Sequence, residues 1–243
     1  LEGVRQILAL HVDPARRKGE IGIRTGAFTA NCDALQIVVR GRGGHGARPH
    51  ESRDPIAAAA QLITTLYQFV PRATDSLDAV VVSFGQVHGG ESANVIPERV
   101  ELGGTIRTLD AEVRRATIDH IRRLARGVEA ITDTSIEVGL GASVPSVQND
   151  PGATQLIAQA ARHVLGEGGV REIPRPSMGS EDFACYLDHC PGAMFRLGAA
   201  RDPANITPLH TPKFDIDEAA LGYGTRILAA AVVLSNRPPG RGP

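Results

Sequence analysis

Residues 41–50, GRGGHGARPH, set His45 among glycines with Pro49 fixing the exit. Glycines let a backbone turn tightly and come close to a ligand, so a histidine held there is exposed and aimed. The plainer alternative is a polar loop with an incidental solvent histidine. A second run, residues 93–108 (ANVIPERVELGGTIRT), supplies Asn94 and Arg107 near the two ends of a strand. Imidazole, carboxamide and guanidinium together suit a small substrate bearing a carbonyl and a carboxylate. His11 and His210 each follow a leucine in an apolar context. If their segments form one sheet edge, the two imidazoles converge and suit zinc, manganese, cobalt or nickel. Two histidines alone do not close such a site, and two unrelated loop histidines are the competing reading. Glu181 and Asp182, at the start of an expected helix, suit its cap and dipole better than a catalytic carboxylate pair. His50, His88, His120, His163 and His189 have no partner pattern and are expected at the surface. Arg42, Arg48 and Arg53 read as solvated charge.

Those residues need elements to hold them. An apolar run over residues 4–11 reads as a buried strand that ends at His11, and residues 19–26 as a short strand or hairpin. Residues 34–40 (ALQIVVR) are strand-like. Asp54-Pro55 supplies an N-cap and a first-turn proline for an amphipathic helix over 56–70, which Pro71 ends. Strands follow at 78–87 and 99–107. A second helix capped by Asp110 carries Val113, Thr117, Ile121, Leu124, Val128 and Ile131 as its apolar stripe, and a last strand spans 135–140. The order β-α-β-β-α-β predicts a ferredoxin-like α+β sandwich with both helices on one face. Glycines 85, 103 and 104 suggest bulges or close backbone approach. Beyond residue 145 come a helix over 150–165, a loop with Ser180 capping residues 181–187, a strand at 192–198, a helix over 217–234 and a disordered tail at 237–243. The chain therefore reads as an α/β domain, residues 1–27 and 143–243, interrupted by an inserted α+β domain, residues 28–142.

Across 243 residues, 42% apolar and 22% charged with a net charge of −1, the composition describes a globular protein. It gives no support for nucleic-acid or membrane-surface binding. The 4% aromatic content leaves few stacking platforms for bases. No apolar run reaches transmembrane length. Three cysteines without CxxC spacing indicate neither a disulfide framework nor a cysteine-cluster metal site, and reduced thiols make the cytoplasm the expected compartment.

GGHGARPH at 43–50 with Asp54-Pro55, NVIP at 94–97, GTIR at 104–107, MGSEDF at 178–183 and Leu209-His210 follow one another in a familiar order. The chain resembles the metal-dependent amidohydrolase, aminoacylase and carboxypeptidase family, peptidase family M20, nearest its hippurate hydrolase and auxin-conjugate amidohydrolase branch. The resemblance covers about residues 8–234. It implies that residues 28–142 are a lid and dimerisation domain inserted in a catalytic α/β domain, and that the protein is a homodimer. It implies that His11 and His210 are metal ligands in a site for two divalent ions. It further implies that His45 and Asn94 hold the scissile carbonyl and that Arg107 receives the substrate carboxylate, the lid residues acting in several relatives on the partner subunit. The expected reaction is hydrolysis of N-acyl amino acids. The family's Cys/His motif and Glu-Glu pair are not found in these residues, so the α/β domain is expected to be incomplete at its N-terminus and the chain to be the C-terminal portion of the enzyme. The alternative is a non-catalytic dimerisation and ligand-recognition fragment.

Overall fold

A computed structural model describes residues 1–202, 204 and 206–236; the tail expected to be disordered, residues 237–243, lies outside the described residues. In chain order the elements are β1 (Ile7–Arg17), β2 (Ile21–Ile23), β3 (Gly26–Ala27), β4 (Asn31–Arg40), β5 (Gly44–His45), α1 (Pro55–Ala73), β6 (Val80–His88), β7 (Val95–Ile96) and β8 (Arg99–Thr108). Then follow α2 (Ala111–Thr132), β9 (Ser135–Val144), β10 (Gln148–Asn149), α3 (Pro151–Leu165), β11 (Val170–Glu172), α4 (Ala184–Leu187), β12 (Gly192–Ala200) and α5 (Ala219–Ser235). They divide into two compact units. The first comprises Leu1–Thr29, Val147–Ser177 and the chain from Glu181; the second comprises Ala30–Ser146 with Met178–Ser180. The boundaries expected at 28 and 142 thus fall at 30 and 146. The edge strand β9 runs on to Val144, which still pairs with Cys32 of β4.

In the second unit the sheet order is β6-β8-β4-β9, and every neighbouring pair is antiparallel. This is the order of a ferredoxin-like sandwich. Leu35, Ile37 and Val39 on β4, with Val100, Leu102 and Ile106 on β8, bury one face of the sheet under α1 and α2. The alternation that sends these side chains inward sends Arg107 to the other face. Asp54 caps α1 by accepting from the Ile56 and Ala57 N–H groups. Pro71 does not end α1, which runs to Ala73. A proline in the last turn forfeits only one helical bond, and the Thr74 hydroxyl closes the end by donating to the Val70 carbonyl at 3.0 Å. Ile131, expected on the α2 stripe, is 78% exposed; Ile118 and Ala125 join the core instead. The expected bulge lies between Phe84 and Gln86. A Cβ at Gly104 would sit 2.3 Å from the Ser83 carbonyl oxygen, so only glycine fits there.

A buried polar network ties the end of this sheet to α2. Asn31 Oδ1 accepts from the Thr108 N–H and hydroxyl, and Asn31 Nδ2 donates to Asp33 at 3.0 Å. Arg114 grips Asp33 with two hydrogen bonds, at 2.7 and 2.6 Å. Burial alone would push the Asp33 carboxyl up, but the bonds from Arg114, Ser143 and Asn31 outweigh it and hold it below the ordinary carboxylate value.

In the first unit the sheet order is β1-β12-β2-β11. β1 and β12 are parallel, and so are β2 and β11, while β12 and β2 are antiparallel. The unit is therefore mixed α/β. β12, GAMFRLGAA, is buried along both faces apart from Arg196. α3 and α5 cover one face, packing Ile157, Ala161 and Ile227 against Phe195 and Leu197. Phe28, Val147, Phe183 and Met194 form a smaller cluster on the other, against Ile7 and Ala9. β1 does not stop at His11, as expected, but continues to Arg17 with its register breaking after Asp13. Pro14 has no N–H to give a ladder, and it falls within that irregularity, where none is needed. The helix expected over 181–187 is also shorter. Only Ala184–Leu187 are helical, Phe183 occupies the cap position without a side-chain bond, and Ser180 caps nothing. Glu181 and Asp182 therefore precede the helix, and neither side chain caps it.

Candidate functional site

His45 is presented by a two-residue bridge, β5 pairing with β7, with His45 opposite Val95. Gly46 lets the loop close: its N–H donates to the Asn94 carbonyl at 2.8 Å, and a Cβ there would come within 3.0 Å of that oxygen. His45 and Asn94 are thus brought together by the backbone itself. The Ala47 N–H donates to His45 Nδ1 at 3.0 Å. A backbone N–H can only donate, so Nδ1 carries the lone pair and the ring proton sits on Nε2. The exposed edge of His45 is therefore a donor. Asn94 is oriented in the same sense. Its Oδ1 accepts from the Ser92 hydroxyl at 2.7 Å, which leaves the carboxamide NH₂ available to donate. N–H donors on two exposed residues joined through this backbone closure suit a carbonyl oxygen or the oxyanion formed from it.

Arg107 is not with them. It pairs with Cys32 at the start of β4, whereas the loop bearing His45 leaves the other end of that strand, beyond Arg40 opposite Arg99. The eight-residue distance from Arg99 to Arg107 is about 27 Å at roughly 3.4 Å per residue. The strand expected between them thus keeps Arg107 apart from His45 and Asn94 within a single copy. The Arg107 guanidinium is fixed by donating from Nη1 to the Met178 carbonyl at 2.9 Å, which leaves its other N–H groups for a ligand.

In the first unit, His11 lies mid-strand and half-buried. Its Nδ1 is 2.7 Å from the Val12 carbonyl oxygen. A carbonyl can only accept, so Nδ1 carries a proton, and in the neutral ring the lone pair is on Nε2. That is the tautomer a metal-ligating imidazole needs, steadied by a backbone acceptor. His210 is exposed, in a turn, with a left-handed backbone (φ 63°) that costs a non-glycine residue on the order of 1 kcal/mol. Among the described residues no three His, Cys, Asp or Glu side chains gather as a metal site, so these two histidines are at most part of a donor set.

Sequence reasoning missed Arg196. It stands directly opposite His11 on β12, on the same face, with its guanidinium 5.5 Å from the centre of the Phe28 ring. Burial pulls its proton affinity down, and the charges of Asp13 and Glu181 offset this only in part. A single charge inside GAMF-R-LGAA was the available signal. Of the histidines expected at the surface, His50, His88, His163 and His189 are exposed, but His120 is half-buried. Burial and then the Arg123 charge push its imidazolium toward neutral. Arg53 is not free charge, because it pairs with Asp133 at 3.1 Å. The three cysteines are free thiols, and no helix among the described residues is long and apolar enough to cross a membrane.

A model of the family described as peptidase family M20/M25/M40 matches residues 1–233. A protein of Synechocystis sp. that bears a hydrolase's name is 43% identical over 95% of the chain and 59% of its own length. N-acetylcysteine deacetylase of Bacillus subtilis is 38% identical over 96% of the chain and 60% of its own. A B. subtilis crystal structure, titled a dinuclear metal binding peptidase from the M20 family, superposes with a TM-score of 0.77 at 33% identity. It covers 98% of this chain, which spans 59% of that one. The chain thus spans about 60% of the length of the relatives it matches.

Proposed function

Because the chain belongs to peptidase family M20/M25/M40, we propose that it is the recognition share of a metal-dependent amidohydrolase that cleaves N-acyl amino acids, hippurate-type substrates included. The observation that carries this reading is that His45 and Asn94, exposed and tied by one backbone closure, each keep an N–H donor, with Ala47 holding His45 Nδ1 and Ser92 holding Asn94 Oδ1. Family membership supports amide hydrolysis in general; the acyl amino acid substrate is our inference. His11, through its free Nε2, and His210 are assigned as two ligands of a divalent-metal site whose other donors come from elsewhere. Manganese, zinc, cobalt and nickel all suit imidazole nitrogen. When bound, such ions activate water and polarise the carbonyl.

The chain's own groups do the rest. His45 and Asn94 donate to the carbonyl oxygen as negative charge develops on it. Arg107, anchored through Met178, takes the substrate carboxylate and sets the scissile bond in register. The span of about 27 Å between these two sets supports a homodimer in which His45 and Asn94 of one copy serve a substrate held by Arg107 of the other. The second unit is then the lid and dimerisation domain, and the protein works in the cytoplasm.

A second reading, a non-catalytic recognition and dimerisation module, is favoured by the lack of a three-donor cluster among the described residues. The deciding experiment compares this chain with a protein extended to its relatives' length. Each is assayed on N-acetylcysteine and hippurate with Mn²⁺ or Zn²⁺, and again after chelation. Metal-dependent hydrolysis by the longer form alone is expected. No hydrolysis by either would leave the second reading standing.

A further inference from the structure

The guanidinium of Arg196 is half-buried and unpartnered. Among the described residues no carboxylate oxygen lies within ion-pair distance of it, and it makes no hydrogen bond. Asp13 instead pairs with Arg16, at 3.6 Å. The face of Phe28 lies against Arg196, and the charges of Asp13 and Glu181 act on it from beyond contact. A half-buried cation without a close partner is disfavoured, and the guanidinium fork matches the two oxygens of a carboxylate. The strand that carries it is anchored nearby. Two bonds of 2.8 Å join Asn149 to the backbone of Met194, two residues along β12, and a third of the same length ties Asn149 to the Arg24 carbonyl. An unpaired cation on an anchored strand, on the face that carries His11, is arranged as a receptor.

We infer that Arg196 is a binding residue for a small carboxylate anion, distinct in position and strand from Arg107. If the proposed hydrolysis holds, the natural occupant is the acid released from the acyl half. Water's oxygen joins the carbonyl carbon, the C–N bond breaks, the amine takes a proton, and the new carboxylate needs a cationic partner. That last assignment rests on the proposed function; the anion site does not.

The test uses the chain as it is, without metal, titrated with acetate and with benzoate against acetamide at matched ionic strength. Amide and Arg side-chain NMR shifts are followed together with Tm. Saturable shifts at Arg196 and Phe28 are expected for the carboxylates and not for acetamide. Binding should fall about tenfold or more in Arg196→Met, since charge-assisted hydrogen bonds are at stake, and by less in Arg196→Lys. Asp13→Asn and Glu181→Gln should each tighten it a few-fold by removing nearby negative charge. In the absence of ligand, Arg196→Met should keep or raise Tm, because it deletes an unpaired charge. A clear drop in Tm would mean the guanidinium serves the fold through Asp13 and Glu181, and the inference would fall. So would carboxylate binding unchanged in Arg196→Met, or no saturable binding in the unaltered chain. None of these results depends on catalysis, so failure here and failure of the proposed hydrolysis are separate outcomes.

Discussion

His11 in the first unit and His45 in the second hold their protons on opposite nitrogens. At His11 a carbonyl acceptor fixes the proton on Nδ1 and frees the Nε2 lone pair; at His45 an amide donor occupies Nδ1 and leaves an N–H pointing outward. One is prepared to give electrons to a cation, the other to give a hydrogen bond to an oxyanion. Neither role is written in the residue type. Each is imposed by a single backbone group, supplied by a strand in one case and by a glycine-rich turn in the other. The same contrast extends to the neighbours, a lone guanidinium beside His11 and a carboxamide beside His45.

The largest expected effect breaks the donor half of this contrast. In the protein extended to its relatives' length, His45→Ala should lower kcat by about 10²–10³ with little change in KM, the usual loss on removing one oxyanion donor. A loss confined to KM would make His45 a ground-state contact only. Arg107→Ala should cost about 10² in kcat/KM with N-acyl amino acids, as expected for a desolvated charge pair, and much less with their amides. Equal losses would remove the carboxylate role. Mixing these two variants adds a sharper readout. If the sites are shared between copies, mixed dimers regain one working site each, and activity returns on co-refolding. No recovery would overturn the shared site.

Stability should separate the units as well. Asp33→Asn strips the Arg114 pair of its charge. The Asp33 side chain is fully buried, but that of Arg114 is 33% exposed, so the loss should be about 2 kcal/mol, below that of a sealed pair. It should appear in hydrogen exchange of β4, β8 and α2 and not in that of β12 or α5. The Asp33 carboxyl is held below its ordinary value. Its contribution is therefore fully present above the unfolded pKa of about 3.9 and lost as pH falls through the lower folded value. The variant's deficit at pH 7 should shrink under acid.

Much of this arrangement is legible in the sequence because it is local. Asp54-Pro55 caps α1, the branched run ALQIVVR makes β4, and glycines flank His45, each through forces acting within a few residues. What is not legible depends on partners distant in the chain. The run 34–40 does not say that β4 starts at Asn31, since that extension is held by Thr108 and Val144. Asn94 and Arg107 are 13 positions apart, and their placement near the two ends of a strand is legible; the distance that strand puts between them is seen only once it is laddered to β4. Arg196 was hidden by its surroundings, because burial of a charged residue is visible only once the strands beside it are paired.

The smallest expected effect tests the finest part of the contrast, the orientation of Asn94. The Ser92 hydroxyl donates to Asn94 Oδ1 at 2.7 Å, and both residues are exposed. A neutral hydrogen bond of this kind contributes about 1 kcal/mol net, so Ser92→Ala should lower kcat of the extended protein by about fivefold at most. Asn94→Ala should cost more, because it deletes the donor itself. If Ser92 acts only by turning the carboxamide, adding Ser92→Ala to Asn94→Ala should cost nothing further, a full coupling in the double-mutant cycle. Additive losses would mean that the hydroxyl meets the substrate directly. The donor pair would then be a triad, and the Gly46–Asn94 closure would be aiming three groups instead of two.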